Sequence, residues 1–271
     1  MDKNVVVSLY GDIKQDMARI KDLGKGYFTN FFHDGTMVDL WDKYKLIEVH
    51  TVGETLFLFR QNEGFCHLFF CSTNFEQLEK DLEQLPEKFQ RQTIVVDLVG
   101  RDEDMEHLTK PFINNGFERY SSLVRMSRQI TEMEMPQPTI EYAQDKDAER
   151  IESLFNDFFD PLSEQLPLKE QIEEWIINRH LLIRRVEGQI VGFVIFDING
   201  ITSYIRYWFI HPDFREQKIG SALFRQCFAE SNDTKRQIFW VIEDNENARK
   251  RQRHYGFREE NMFDHILIRY S

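Results

Sequence analysis

Apolar positions in the second half of the chain switch between two periods, and the switches mark out an element order. Short apolar runs of strand character fall over 140–143, 180–186, 190–197, the stretch ending at Ile210, 237–242 and 265–270. Helical spacing covers 147–159 and 168–178, a run opening near Ile219, and 247–254. Glu187-Gly188 and Asn199-Gly200 separate consecutive strands as hairpin turns. Asn-Gly is a strong hairpin signal, because both residues tolerate the positive φ that a tight turn requires. The order that results is β-α-α-β-β-β-α-β-α-β.

The first half repeats part of this pattern. Strands are expected over 56–59 and 67–71 around a turn at Asn62-Glu63-Gly64, then a helix over 75–85. A strand over 93–98, a helix over 102–113 and a strand over 122–126 follow. Gly116-Phe117 precedes the last of these as Gly256-Phe257 precedes 265–270, a separation of 256 − 116 = 140 residues. Such a spacing reads either as two copies of one domain or as two unrelated α/β domains. The stretch 131–138 carries Pro136 and Pro138 and no periodicity, so it reads as a connector. The expected division is 1–130, linker 131–138 and 139–271. The fold class is mixed α/β (α+β), two domains each with a sheet flanked by helices. Five phenylalanines near the first-half strands (Phe57, Phe59, Phe65, Phe69, Phe70) also suggest an apolar interface between the halves.

Composition narrows the functional classes. A chain of 271 residues with 24 Phe has material for two cores. A net charge of −12 argues against nucleic acid as a partner, since phosphate contacts need clustered Lys and Arg. No run approaches the ~18 apolar residues of a membrane span, and Met1–Val7 lacks the apolar stretch of a signal peptide. Cys66, Cys71 and Cys227 form no CxxC pair and are odd in number, so reduced thiols and a cytoplasmic location are expected, with no metal site.

The chemistry concentrates between Tyr207 and Phe224. An apolar strand leaves through Pro212, turns through Arg215-Glu216-Gln217-Lys218, and enters a helix at Ile219-Gly220-Ser221. The start of a helix offers unpaired N–H groups and partial positive charge, a site suited to a pyrophosphate. Arg215 and Lys218 add full charges there. The segment resembles the acyl-CoA loop of the GNAT superfamily of N-acetyltransferases, Arg/Gln-x-x-Gly-x-Gly/Ala. Arg215 fills its first position and Gly220 its last glycine, while Lys218 stands at its first glycine. A second family motif, Asn-x-x-Ala-x-x-x-Tyr-x-x-x-Gly-Phe, is met by Asn245, Ala248, Gly256 and Phe257, with Gln252 at the tyrosine position. The resemblance covers 139–271 and implies a mixed, mostly antiparallel sheet in each half, the first half being a diverged copy.

The resemblance implies acetyl-CoA as acyl donor, held by Trp208, Phe209 and Ile210 at a bulged, splayed strand end and by Arg215, Glu216, Gln217, Lys218, Ile219, Gly220 and Ser221. Asn245 and Arg249 would add contacts from the second motif. It further implies direct transfer to an amine of a small molecule or peptide, with a backbone N–H polarising the thioester carbonyl. Tyr255 is a candidate acid in place of Gln252, or a core residue. Glu243 is a candidate base, or an exposed loop carboxylate. His211 reads better as a surface or capping residue. Two alternatives stay open: a non-catalytic acyl-CoA-binding protein, and an aminoacyl transferase of the tandem type, which the acidic balance disfavours. In the first half Asn74 caps its own helix, and Glu76 and Glu79 would repel a pyrophosphate, so no cofactor binding is expected there.

Overall fold

The computed structural model describes residues 8–271, so the amino-terminal stretch read above for a signal peptide lies outside the described residues. Two compact units make up the chain. The first comprises the described residues up to Ser122 together with Met262–Ser271, and the second comprises Leu123–Asn261. Neither is bounded by the connector expected from the sequence.

The first unit runs α1 (Leu9–Asp22), β1 (Phe28–Thr29), α2 (Gly35–Lys43), β2 (Ile47–Val52), β3 (Thr55–Gln61), β4 (Cys66–Ser72), α3 (Phe75–Glu83), α4 (Glu87–Gln90), β5 (Ile94–Gly100) and α5 (Asp102–Asn114), then enters β6 (Glu118–Gln129). The second runs β7 (Glu141–Tyr142), α6 (Ala148–Phe158), α7 (Lys169–Ile177), β8 (Leu181–Val186), β9 (Gln189–Asn199), β10 (Thr202–Ile210), α8 (Ile219–Glu230), β11 (Arg236–Ile242) and α9 (Glu246–His254), then enters β12 (Arg258–Arg269).

Each unit borrows a strand from the other half of the sequence. In the first unit the sheet order is β2-β3-β4-β5-β12, with Phe263 to Arg269 of β12 antiparallel to β5. In the second it is β6-β11-β10-β9-β8-β7, with Leu123 to Gln129 of β6 antiparallel to β11. The strands over 122–126 and 265–270 are therefore where the periodicity puts them, but each completes the other unit. An alternating pattern states which face of a strand is buried and is silent about which edge it joins. The connector is fastened rather than loose. Glu134 and Asn232 exchange N–H···Oδ1 (3.0 Å) and Nδ2–H···O (3.1 Å) bonds, and the Gln137 N–H donates to Gln226 Oε1 (2.5 Å).

In the first unit, α3 and α5 cover one sheet face, burying Leu78, Leu82, Met105 and Phe112 against Phe57, Phe59 and Phe70. On the other face α1 packs on β3 and β4, and Phe69 stacks on Trp41 of α2 at 5.7 Å. The phenylalanines that suggested an interface are largely consumed by this two-faced core. In the second unit, α8 buries Leu223, Phe224 and Phe228 over β10 and β11, while α6 and α7 bury Ile151, Phe155 and Ile172 over β8 and β9. Among the described residues no helix is long and apolar enough to cross a membrane, and all three cysteines are buried and unpaired.

Candidate functional site

The site is built on a place where two parallel strands come apart. β10 pairs with β11 from Thr202↔Arg236 to Ile205↔Phe239, and a register irregularity then falls between Ile205 and Tyr207. Beyond it β10 continues to Ile210 paired with β9 alone. The His211 N–H donates to Val191 O (2.9 Å) on the β9 side. Antiparallel alternation from that bond turns the N–H groups of Trp208 and Ile210 toward the open edge. The side chains of Trp208 and Ile210 face α8, whereas Tyr207 and Phe209 pack under α6 and α7.

The chain leaves β10 through a single turn over Pro212–Phe214, where His211 Nδ1 accepts from the Asp213 N–H at 3.3 Å. Glu216 (φ 71°) and Lys218 (φ 60°) then adopt left-handed backbone, which costs an L-residue about 1 kcal/mol each. A left-handed residue next to a right-handed one turns successive N–H groups to one side, an anion-binding concavity, and Lys218 stands so before Ile219, the first residue of α8. α8 starts immediately afterwards, and no side chain caps it. Its first N–H groups therefore remain available to a ligand. Gly220 is required by packing: a Cβ there would lie 2.7 Å from Cζ2 of Trp208.

These features border a cavity of about 590 Å³. Of the residues expected from the sequence, Trp208, Ile210, Arg215, Glu216 and Lys218 line it, as do Ile219, Gly220, Ser221, Asn245 and Tyr255. Four others do not. Phe209 points to the opposite sheet face, where it packs against Phe193 (5.3 Å) and Phe158 (5.1 Å). Gln217 lies in the turn but not on the cavity wall. Arg249 is held in a bidentate pair by Glu259 (2.9 and 3.1 Å) and donates to Glu243 O (3.0 Å). That pairing keeps the Glu259 carboxyl below its ordinary range. Glu243 lies off the cavity, its carbonyl engaged with Arg249. Arg251, one of the basic run Arg249, Lys250, Arg251 and Arg253 that the sequence left open between a solvated helix face and a contact with the cofactor, lines the cavity, as do Asn247 and Phe214, which sequence reasoning passed over. Helical phase could have found Arg251, which lies three residues beyond Ala248 on the same helix face.

Tyr255 is both a cavity wall and a core residue. Its ring stacks on Phe224 at 5.2 Å, and its carbonyl accepts from Arg128 Nη1 at 3.0 Å. Asn245 caps α9 by accepting from the Ala248 N–H at 3.0 Å. Gln252 is fully buried, and both polar atoms of its carboxamide lack a hydrogen-bond partner. A buried unpaired amide is costly and rare in folded proteins.

One further group escaped the sequence. Between α6 and α7 the loop is tied to β10 by the Tyr207 hydroxyl, which donates to Gln165 O (2.6 Å). Glu164 sits in that loop. Burial, and then the nearby Asp160 carboxylate, push its pKa up to about 7.

Comparison with known proteins agrees with this geometry. Residues 148–257 match the acetyltransferase (GNAT) family, while no curated protein sequence matches the chain. Solved structures share its fold at low identity. An acetyltransferase of the GNAT family from Novosphingobium aromaticivorans, described as putative, superposes with TM-score 0.55 at 12% identity, covering 85% of this chain and 93% of that one. A GCN5-related N-acetyltransferase from Sphaerobacter thermophilus gives 0.57 at 11% identity, over 87% and 85%. A tandem GNAT protein from the clavulanic acid biosynthesis pathway gives 0.53 at 10% identity, over 79% and 78%. Residues 148–257, which carry the cavity, the uncapped helix and the diverging strands, thus form an acetyltransferase domain of the GNAT family.

Proposed function

We propose that the chain is an N-acetyltransferase that takes acetyl-CoA at the second unit and passes the acetyl group directly to an amine of a small molecule or peptide. One observation carries this reading. A diverging strand edge, an uncapped helix start and three cations (Arg215, Lys218, Arg251) border one cavity on a chain of net charge −12. The α8 N–H groups with Arg215 and Lys218 suit a pyrophosphate. The open edge of β10 suits an amide-bearing arm and offers N–H donors to a developing oxyanion. Amine attack on the thioester carbonyl forms the C–N bond, and collapse breaks the C–S bond. The ammonium-derived proton leaves to a base or water, and the thiolate departs.

Gln252 favours a second reading, acyl-CoA binding without turnover, because an amide cannot protonate the departing thiolate. The first unit is in this proposal a diverged copy of the same fold, one without a cofactor site.

Calorimetric titration with acetyl-CoA, followed by an amine panel assayed for released thiol, tests both readings. The expected result is saturable binding that Arg215→Glu weakens at least about tenfold, with the apo melting transition nearly unchanged, and thiol release with some amine. Unaltered affinity in Arg215→Glu would remove the assignment. Binding without thiol release across the panel would leave the second reading.

A further inference from the structure

The first unit contains the same parting of parallel strands, and something already lies in it. β4 and β5 pair only at Cys66↔Ile94 and His67↔Val95, although β4 runs on to Ser72 and β5 to Gly100. β3 pairs along the far edge of β4, from Leu56↔Cys71 to Gln61↔Cys66. The near edge of β4 should then be open, as that of β10 is. Instead it is fully engaged by the loop between α1 and α2. Asn30 Nδ2 donates to Leu68 O on β4 and to Asp97 O on β5, both at 3.1 Å, while Asn30 Oδ1 accepts from the Phe70 N–H at 2.7 Å. Thr29 Oγ1 donates to Phe70 O, and β1 pairs Phe28↔Ser72 and Thr29↔Cys71.

The path continues to the helix start. The Phe28 ring packs on Phe75, the first residue of α3, at 4.4 Å. Gly26 (φ +107°) passes so close to the turn before α3 that a Cβ would lie 2.5 Å from Thr73 O. At that turn Asn74 Oδ1 accepts from the Gln77 N–H at 2.9 Å and closes the helix end itself.

We propose that residues 26–30 are a built-in occupant of the first unit's cleft, a stretch of the chain's own backbone lying where an acyl-CoA arm would lie in a cleft of this shape. One carboxamide bridges the parted strands by supplying the donor and acceptor pattern of an amide-bearing ligand. The first unit is thereby closed without any ligand, and the chain takes up a single acyl-CoA. The comparison with the second unit rests on the acetyl-CoA reading of that unit, whereas the occupancy of the first cleft does not.

Amide hydrogen exchange on the ligand-free full chain tests the occupant, and native mass spectrometry with acetyl-CoA tests its consequence. The Phe70 amide of the wild type should be protected, and Asn30→Ala should speed its exchange by at least about tenfold while amides of α8 and α9 keep their rates. Asn30→Asp keeps the acceptor for the Phe70 N–H but sets a second acceptor against Leu68 O and Asp97 O, so it should keep more of the protection at a pH that protonates the carboxyl than at neutral pH; the wild-type reading decides the matter where neither variant folds. A wild-type Phe70 amide exchanging like an exposed one overturns the proposal. So does an Asn30→Ala chain with unchanged exchange, or two acetyl-CoA molecules bound per wild-type chain. A protected Phe70 in a chain that binds no acetyl-CoA would instead sink the functional reading of the second unit and leave the occupant in place.

Discussion

The two units solve the same geometric problem in opposite ways. In each, a parallel strand pair separates partway along and leaves an edge of backbone groups to be satisfied. In the first unit the chain satisfies them internally, with Asn30 across the gap and Asn74 capping the helix beyond it. In the second, α8 has no side-chain cap, and the wall beside it carries Arg215, Lys218 and Arg251. The difference lies in the preceding loop: one threads the gap, and the other is tied down on β10 through Tyr207. Unsatisfied backbone is a liability in a scaffold and an asset in a binding site.

The helix starts offer a direct way to sharpen that contrast. Removing the Asn74 cap in Asn74→Ala should cost about 1 kcal/mol of stability and leave acetyl-CoA affinity untouched. Lys218→Gly should gain close to 1 kcal/mol by relieving left-handed backbone and weaken acetyl-CoA binding by removing a charge. Paired denaturant melts and titrations check both. A loss of affinity in Asn74→Ala would break the separation of roles.

A pH-dependent effect is expected from the loops. The first unit spans its gap with a neutral amide, whereas the loop of the second carries Glu164, half-buried and with its pKa raised from 4.5 to about 7. A carboxyl whose folded pKa is raised loses stabilising free energy as pH climbs through that value. Glu164→Gln should therefore melt like the wild type at or below pH 4.5 and at a higher temperature at pH 8. An equal shift at both pH values would show that Glu164 does not titrate in this range.

Much of the second unit was legible because its signals are local. Pro212, Arg215 and Gly220 mark a strand exit, a basic turn and a helix start within a few residues of one another, Asn245 marks the cap of its own helix, and all but Pro212 line the cavity. What escaped depends on distant partners. Arg249 was expected at the cofactor, yet Glu259, ten residues on, claims it and leaves Arg251 at the cavity. Phe209 was expected beside Trp208 at the slot, but consecutive strand residues face opposite sides, and it packs with Phe193 instead. The exchanged strands differ from the expected division at 131–138, because hydrophobic alternation does not encode an edge partner. Asn30 was the least legible of all. Its partners are 38, 40 and 67 residues away, and an asparagine among aromatics gives no sign of a strand to bridge.

Amide exchange across the full chain, with and without saturating acetyl-CoA, bears most directly on the division of labour between the units. The account predicts slowed exchange over 208–221 and 245–255, which border the cavity, and none over 66–75, where the chain already fills the gap. Slowed exchange over 66–75, or an unchanged 208–221, would contradict it.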